Sequence, residues 1–235
     1  MSLLYVDRVQ VRFGGVTAVD GVNLLAKAGE VTGLIGPNGA GKTTLFNVIS
    51  GMQEPTAGSV SLDSIDITEL PAHKRAQRGM ARTFQRLELF GSLSVRDNIR
   101  VAAELAALTN VNSIVDEMIA RVGLADIADQ PAGDLPTGSA RLVEIARALA
   151  TRPKLLLLDE PASGLDESES ERLGELLRSL AGTGLGVLLV EHDMGLVMKV
   201  CDEIYVLDLG QIIAHGTPTE IQHDPKVLEA YLGAS

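Results

Sequence analysis

The sequence is poor in aromatic residues and has a single cysteine. Aromatic residues make up 3% of the 235 residues and tryptophan is absent, so the 46% of apolar residues must form an aliphatic core. The one cysteine, Cys201, cannot form an internal disulfide. Such cysteine usage fits a reducing compartment.

Long hydrophobic runs are also missing. The longest, such as residues 155–158 and 187–190, are far shorter than the roughly 20 residues of a membrane-spanning helix. The N-terminus has no charged region followed by an apolar run, so we predict no signal peptide. If the chain works at a membrane, we expect another chain to supply the membrane spans.

Clusters of basic residues are scarce as well. Lysine and arginine number 20 against 31 aspartate and glutamate residues, which gives a formal net charge of -11. The longest basic cluster is the short segment 74–78, whereas nucleic-acid binders usually carry a basic face or stripe. We therefore predict no nucleic-acid partner.

Strand and helix patterns alternate at both ends of the chain. The first part predicts a strand pair within 4–11, another within 16–24, strands at 31–35 and 60–67, and a helix over 43–50 that ends at Gly51. The last part predicts strands at 155–158, 187–190, 204–209 and 212–214, helices over 167–180 and 194–200, and a last helix started by Thr217, Pro218 and Glu220. Such alternation implies a parallel sheet flanked by helices.

Helical spacing replaces this alternation between about residues 71 and 150. Ser94 and Asp97 resemble a capping box, and apolar residues follow in three helical stripes, at 95–106, 114–122 and 142–149. Because this helical stretch lies between the two alternating parts, we predict that it is an inserted subdomain.

A glycine-rich segment follows the buried strand at 31–35. Residues 36–43, Gly-Pro-Asn-Gly-Ala-Gly-Lys-Thr, match the phosphate-loop pattern G-x-x-x-x-G-K-[ST]. Glycines let backbone N–H groups surround a triphosphate, and the next helix adds its N-terminal dipole. Lys42 offers a charge to the β- and γ-phosphates, and Thr43 offers a hydroxyl to Mg²⁺. The flanking strand and helix argue against a chance turn, so we predict ATP and Mg²⁺ as ligands.

The apolar run 155–158 ends in the acidic pair Asp159 and Glu160. A parallel sheet delivers the residues at the carboxyl ends of its strands to the ligand crevice. In that position Asp159 would hold Mg²⁺, through water, and Glu160 would polarise the attacking water. The alternative is a polar turn after a buried strand, which the nearby phosphate loop disfavours.

Taken together, these residues resemble the nucleotide-binding subunit of ABC transporters, over nearly the whole chain. The family's motifs occur in the family's order, as the phosphate loop 36–44, Gln85, the signature segment 135–139, the acidic strand end 158–160, the D-loop 163–166 and the switch histidine His192.

The resemblance implies an α/β fold with a RecA-like P-loop NTPase core, an antiparallel β subdomain and an inserted α-helical subdomain. It implies one ABC ATPase domain over residues 1–235. The nucleotide-binding core would comprise 1–85 and 151–235, and the helical subdomain would comprise 86–150.

The resemblance also assigns roles to single residues. Phe13 would stack on adenine, with an ordinary strand residue as the alternative; Gln85 would approach Mg²⁺ and the water; and His192 would contact the γ-phosphate. Asp166 would lie at the contact between two ATPase subunits and would also cap the helix over 167–180. The implied catalytic residues are Glu160, His192 and Gln85, the metal-binding residues are Thr43, Gln85 and Asp159, and the nucleotide-binding residues are Phe13, Asn38, Gly39, Ala40, Gly41, Lys42, Thr43, Thr44, Gly138 and Ser139.

The signature segment departs from the family's Leu-Ser-Gly-Gly-Gln. Residues 135–139 read Leu-Pro-Thr-Gly-Ser, so Pro136 stands where the family's serine contacts the γ-phosphate held by the opposite subunit. We expect the helix N-terminus, the Gly138 N–H and the Thr137 or Ser139 hydroxyl to substitute. The alternatives are a weak half-site that a different ATPase complements, and a serine or threonine that only caps the helix.

Four segments resemble one subgroup, the LivG-type subunits of branched-chain amino-acid importers, at 13–19, 81–85, 191–194 and 226–233. The subgroup implies an ATP-hydrolysing motor at the cytoplasmic face of the plasma membrane. Its partners would be integral-membrane permease subunits, a second and non-identical ABC ATPase and, indirectly, a substrate-binding protein. The alternatives are urea or amide import, lipopolysaccharide export, and a soluble ABC ATPase outside transport.

Overall fold

The computed structural model describes residues 2–232, so Gly233 of the subgroup segment lies outside the described part. The strands are β1 (Ser2–Phe13), β2 (Val16–Lys27), β3 (Val31–Ile35), β4 (Ala57–Leu62), β5 (Ile65–Asp66), β6 (Met80–Arg82), β7 (Leu155–Asp159), β8 (Gly186–Val190), β9 (Glu203–Asp208) and β10 (Gln211–Gly216). The helices are α1 (Lys42–Ser50), α2 (Ala72–Gln77), α3 (Val95–Leu105), α4 (Val111–Arg121), α5 (Thr137–Ala150), α6 (Glu167–Ala181), α7 (Met194–Val200), α8 (Pro218–Gln222) and α9 (Pro225–Leu232).

The smaller sheet is antiparallel, with the strand order β2-β1-β4-β5. The predicted strand pairs within 4–11 and 16–24 are wrong, because β1 and β2 are each one continuous strand of 12 residues. Arg8 has a φ of 46°, and the register with β2 shifts between Val6 and Val9. At this bulge the alternation of apolar and polar residues shifts by one position. The sequence of this one strand therefore reads as two short strands.

The predicted strand over 60–67 is a hairpin instead. Asp63 and Ser64 have φ values of 53° and 63° and connect β4 to β5, where Leu62 pairs with Ile65. Two consecutive residues with positive φ are what a type I′ hairpin turn requires. Because serine takes the position where glycine is usual, this turn has little signature in the sequence.

The larger sheet has the order β10-β9-β3-β8-β7-β6. Its strands run parallel except β10, which pairs antiparallel with β9. Every residue of β3, β7 and β8 is buried, as expected of a parallel sheet covered on both faces. The predicted parallel sheet is confirmed. Since parallel strands end at one edge, Gly36, Asp159 and Glu191 come to the same edge of the sheet.

Helices α3, α4 and α5 pack against one another. Ser94 caps α3 by accepting a hydrogen bond from the Asp97 N–H at 3.0 Å, as predicted. The buried side chains of the three helices, such as Ile99, Met118 and Val143, belong to the apolar cluster that also contains Leu156 of β7. The three helical stripes are thereby confirmed, and the division into a core and a helical subdomain stays a prediction.

The predicted last helix divides into α8 and α9. Thr217 and Glu220 form the expected capping box at the start of α8, with Pro218 in its first turn. The helix stops before Asp224 because the residue preceding Pro225 is disfavoured in helical conformation. Between residues 2 and 232, no helix has both the length and the apolar character that crossing a bilayer demands.

Cys201 is buried directly after α7, with its thiol sulfur facing Gly33 of β3. Burial raises the pKa of the Cys201 thiol to about 12. Since the thiolate is the reactive form, we expect the folded chain to resist an aromatic disulfide reagent at pH 8 and to release one equivalent of thiol in denaturant. An unfolded thiol ionises at about pH 8.5, so this group's contribution to stability is complete below that pH and is lost as the pH rises towards 12. Rapid labelling of the native chain at pH 8 would contradict this prediction.

Candidate active site

The glycine-rich loop 36–43 connects β3 to α1. Gly36 and Gly41 have φ values of 149° and 106°, a region that side chains rarely adopt. A Cβ atom would overlap the carbonyl oxygen of Leu207 at Gly36 and that of Ala18 at Gly41. Both glycines are therefore required by the close approach of neighbouring backbone as well as by the turn.

Lys42 lies folded over this loop. Its Nζ donates to the carbonyl oxygens of Gly36 at 2.6 Å and Pro37 at 2.9 Å. Burial lowers the pKa of Lys42, while the carboxylates of Glu160 and Asp159 oppose that effect. The ammonium group is thus held on the side of the loop where both carboxylates are close enough to act on it.

The other loop residues differ in their access to solvent. Ala40 is buried, Thr44 is half-buried, and the remaining predicted ligands Asn38, Gly39 and Thr43 are exposed. The Ala40 carbonyl accepts from the Gly210 N–H at 2.9 Å, and the Gly210 carbonyl accepts from the Asp20 N–H at 2.8 Å. These bonds attach the loop to the β9–β10 turn and to β2.

Phe13 stands at the end of β1, next to the turn that leads into β2. Its side chain is exposed, with a relative accessibility of 51%. The exposed ring of Phe13 is free to stack on a planar ligand. The turn beside Phe13 leads into β2, which is attached to the phosphate loop through the Asp20 N–H. The stacking role on adenine stays a prediction.

Asp159 ends β7 and is buried. Its Oδ2 accepts from Arg82 Nη2 at 3.0 Å. Burial raises the pKa of Asp159, and the Arg82 charge opposes that rise. Arg82 Nη1 also donates to Asn47 Oδ1 at 2.7 Å and to Ser50 Oγ at 2.8 Å, both on α1. One guanidinium therefore joins the acidic strand end to the helix of the phosphate loop.

This role of Arg82 was not predicted from the sequence. Arg82 lies in the segment 81–85, which resembles one subgroup, and the resemblance assigns a role there only to Gln85. The signal that was present is a charged residue in a strand that is otherwise apolar, next to a strand that ends in two carboxylates. A buried charge in such a place needs a partner of opposite sign.

Replacing Arg82 with methionine leaves Asp159 buried without its counter-charge. Breaking one partner of a buried ion pair costs about 3–5 kcal/mol, so we expect a large fall in the free energy of unfolding, measured by urea denaturation. Arg8→Met is the matched control, because Arg8 pairs with Asp7 on the surface with 78% of its side chain exposed. A double variant Arg82→Met/Asp159→Asn should recover part of the loss, and no recovery would contradict this explanation.

Glu160 follows β7 with a φ of 48°, an uncommon conformation for a residue other than glycine. Its Oε2 accepts from Gln85 Nε2 at 2.8 Å, and His192 Nδ1 lies 3.7 Å from the same oxygen. The structure thus brings together the three residues that the sequence comparison with the family predicted as catalytic. They come from β6–α3, β7–α6 and β8–α7 connections, which all lie at the carboxyl edge of the larger sheet.

The signature segment begins α5. Pro136 is the N-cap and no side chain caps the helix, so the alternative in which a serine or threonine caps it is wrong. Thr137 is exposed, Ser139 is half-buried, and Gly138 is buried against the Glu169 carboxylate, where a Cβ atom would overlap it. Thr137 lies beside Gly164 of the D-loop, at 3.4 Å from a Cβ placed there.

Asp166 caps α6, as predicted. It accepts from the Glu169 N–H at 2.8 Å, and Glu169 Oε2 accepts from the Asp166 N–H at 3.1 Å. This reciprocal pair is a capping box. The contact of Asp166 with another subunit stays a prediction.

A phosphate loop after the first parallel strand, an acidic strand end and an antiparallel sheet packed on the core define an ATP-binding cassette. Residues 19–163 match the family model described as ABC transporter, and residues 211–235 match the model described as branched-chain amino acid ATP-binding cassette transporter. The chain therefore belongs to the ATP-binding proteins of ABC transporters, and it is an ATPase that binds ATP and ADP.

The chain is similar to three curated relatives over nearly its full length. It is 41% identical to the high-affinity branched-chain amino acid transport ATP-binding protein BraF of Pseudomonas aeruginosa, and 40% identical to LivG of Escherichia coli K12, covering 98% of each chain in both cases. It is 37% identical to the lipopolysaccharide export ATP-binding protein LptB of Escherichia coli K12, over 99% of this chain and 98% of that one.

Two solved structures share the fold. The ADP conformation of MJ1267, an ATP-binding cassette of an ABC transporter, has a TM-score of 0.91 and 32% identity over 99% of both chains. The dimeric post-hydrolysis state of the cassette MJ0796 bound to ADP and Pi has a TM-score of 0.81 and 26% identity, over 92% of this chain and 99% of that one. These matches confirm the predicted P-loop NTPase fold with an antiparallel β subdomain.

Proposed function

We propose that this chain is the ATP-hydrolysing motor subunit of an importer for branched-chain or related amino acids. The observation that supports the substrate class is the full-length similarity to BraF and LivG, together with the match of residues 211–235 to the branched-chain family model. The ATPase chemistry is supported by the arrangement of Lys42, Glu160, Gln85 and His192.

The nucleotide's phosphates bind the loop 36–43 through its backbone N–H groups and the start of α1. Lys42 exchanges its two carbonyl contacts for the β- and γ-phosphates, where its charge stabilises the transferring group. Phe13 supports the adenine ring.

The residues present fit a magnesium ion. Mg²⁺ in nucleotide sites takes one or two carboxylates, together with phosphate and water oxygens. Oδ2 of Asp159 faces Arg82, which leaves Oδ1 for this role, and the Gln85 amide nitrogen faces Glu160, which leaves its carbonyl oxygen. With the exposed Thr43 hydroxyl these atoms would hold the ion, which supplies positive charge to the phosphates when bound.

Glu160 orients the attacking water and accepts its proton. Gln85 holds the Glu160 carboxylate through the 2.8 Å hydrogen bond, and its carbonyl oxygen can accept from the same water. His192, whose Nδ1 lies 3.7 Å from Glu160 Oε2, contacts the γ-phosphate. Loss of the γ-phosphate removes the contacts of Lys42 and His192 together, which releases the closed state.

The site is completed by another cassette. We propose that the signature segment 135–139 contacts the nucleotide of a second, non-identical ATPase subunit, with Asp166 at their contact. The dimeric state of the cassette MJ0796 supports the pairing of two cassettes. The helical part 86–150 transmits closure of the core, 1–85 and 151–235, to integral-membrane permease subunits at the cytoplasmic face of the plasma membrane. A substrate-binding protein acts on those subunits indirectly.

A test of the signature segment follows from its position. Thr137 and Ser139 are the hydroxyls nearest the start of α5, so Thr137→Ala/Ser139→Ala should lower the ATPase rate of the assembled complex by roughly tenfold, the effect of losing a hydrogen bond to a charged group. Nucleotide affinity of the isolated chain should not change, because its own phosphate loop is intact. An unchanged rate in the complex would show that these hydroxyls do not replace the family's serine.

The transport role is tested by isolating the complex. A tagged chain purified from detergent-solubilised membranes should bring with it hydrophobic subunits, and the complex in liposomes should take up leucine when ATP and the substrate-binding protein are supplied. Co-purification of lipopolysaccharide-export subunits would favour the LptB-like function instead. Absence of any membrane subunit would contradict a role in transport.

A further inference from the structure

Glu191 is a fully buried carboxylate that the proposed reaction does not use. Its side chain has a relative accessibility of 0%, and it follows the last residue of β8. Within residues 2–232 no lysine or arginine nitrogen lies within 4.0 Å of it. A glutamate buried in this way requires hydrogen-bond donors that satisfy its charge.

Three backbone N–H groups are its donors. Oε1 accepts from Ala162 at 2.7 Å, and Oε2 accepts from His192 at 3.0 Å and from Asp193 at 3.3 Å. Ala162 belongs to the loop 161–166 that follows Glu160, whereas the other two belong to the loop of the switch histidine. One carboxylate therefore binds two separate loops, with one oxygen on each.

The surroundings make this contact the link between the loops. Their first residues are already adjacent, because the Glu160 N–H donates to the Val190 carbonyl at 2.9 Å. Beyond that pair, the bond from Ala162 to Glu191 is the only hydrogen bond between 161–166 and 191–193 in the described part of the chain. The histidine loop also contacts the first turn of α6, where Ser170 Oγ donates to Asp193 Oδ2 at 3.3 Å, so Glu191 makes the direct connection from this loop to 161–166.

We propose that Glu191 is a positioning residue that couples the loop of His192 to the loop 161–166. Contact of His192 with a γ-phosphate orders the histidine loop, and Glu191 transmits that order through Ala162 towards Asp166 at the subunit contact. The inference rests on the proposed contact of His192 with the γ-phosphate. It gives each cassette a route by which its nucleotide state reaches the surface that its partner binds.

Two variants separate this link from the rest of the fold. Glu191→Gln keeps the size of the side chain but turns one oxygen into a donor, which cannot accept from an N–H group. Glu191→Asp keeps the carboxylate but shortens the side chain by a methylene group. We expect it to keep the hydrogen bonds from the His192 and Asp193 N–H groups and to lose the one from the Ala162 N–H. Glu171→Gln is the matched control, because Glu171 joins α6 to α7 through Lys199 at 2.9 Å on the surface.

Hydrogen exchange of the full chain, measured by mass spectrometry, tests the proposal without turnover. Without nucleotide, we expect the Ala162 amide to exchange about tenfold faster in both Glu191 variants than in the parent and the Glu171→Gln control. An imido analogue of ATP, but not ADP, should slow exchange in both loops of the parent. In the Glu191 variants both nucleotides should still protect 36–44, and the analogue should no longer protect 161–166.

Several outcomes would overturn the link. Parental exchange at Ala162 in both variants, or retained protection of 161–166 by the analogue, would show that Glu191 does not couple the loops. Failure of both variants to bind nucleotide would assign the carboxylate to folding of the whole chain instead. If the analogue does not slow exchange of 191–193 in the parent, the role of His192 is contradicted. Faster exchange of the Ala162 amide in both variants would then still support the structural link.

Discussion

Replacing Glu160 with glutamine should abolish most ATP turnover and leave ATP binding intact. The carboxylate accepts a proton from the attacking water, and general-base catalysis contributes about 10²- to 10⁴-fold to a rate. Glutamine has the same size and can still bind Gln85 or water, but it cannot accept the proton. We expect phosphate release in a single turnover to slow by about that factor, while the affinity for ATP, set by the loop 36–43, changes little.

The control for this variant is Glu171→Gln. It makes the same chemical change at a side chain that is 57% exposed and paired with Lys199, so it should retain the parental rate. The comparison removes any general effect of losing one negative charge from a chain of net charge -11. A normal rate in Glu160→Gln would count against Glu160 as the base, and His192, at 3.7 Å from it, would become the next candidate.

The parts of the site that could be predicted are those in which one short segment contains the whole chemical requirement. The loop 36–43 is such a segment, because its glycines, Lys42 and the helix start are contiguous in sequence. Asp159 and Glu160 at the end of an apolar strand are another. The roles of Gln85 and His192 came only from the resemblance to the family, and the structure supports their convergence on Glu160.

The parts that could not be predicted depend on residues that are distant in sequence. Arg82 finds its partner 77 positions away in Asp159, and the Ala162 N–H meets Glu191 29 positions further on. Sequence periodicity carries no information about such pairs, since the charged residues fit ordinary polar positions at strand ends and Ala162 takes part only through its backbone N–H. Local backbone irregularity hid other features: the bulge at Arg8 changed the phase of β1, and the turn at 63–64 lacks a glycine.

The same distinction explains the signature segment. A threonine and a serine at a predicted helix start are typical of caps, yet Pro136 occupies the N-cap position and neither hydroxyl makes a capping bond. Gly138 is fixed by the Glu169 carboxylate, which comes from α6. The hydroxyls therefore remain available for a ligand, which a cap interpretation from sequence would have ruled out.

Replacing Lys42 with alanine should have the other large effect, on both binding and turnover. The ammonium group of Lys42 donates to two carbonyl oxygens of the loop, which direct it into the loop. Removing one preorganised donor aimed at the transferring group costs about 10²- to 10³-fold in rate. Loss of a charged contact to the phosphates should weaken ATP affinity by roughly tenfold or more.

Lys199→Ala is the control for this prediction, because Lys199 is also a helical lysine. It pairs with Glu171, is 64% exposed and is far in sequence from the loop. Burial lowers the pKa of Lys42. Because a bound triphosphate is an anion, it would raise that pKa again. Binding of ATP at high pH should therefore take up protons. The alanine variant should lose this proton uptake together with the affinity, measured by calorimetry in two buffers of different ionisation enthalpy. ATP hydrolysis by Lys42→Ala at the parental rate would contradict the assignment of the phosphate loop itself.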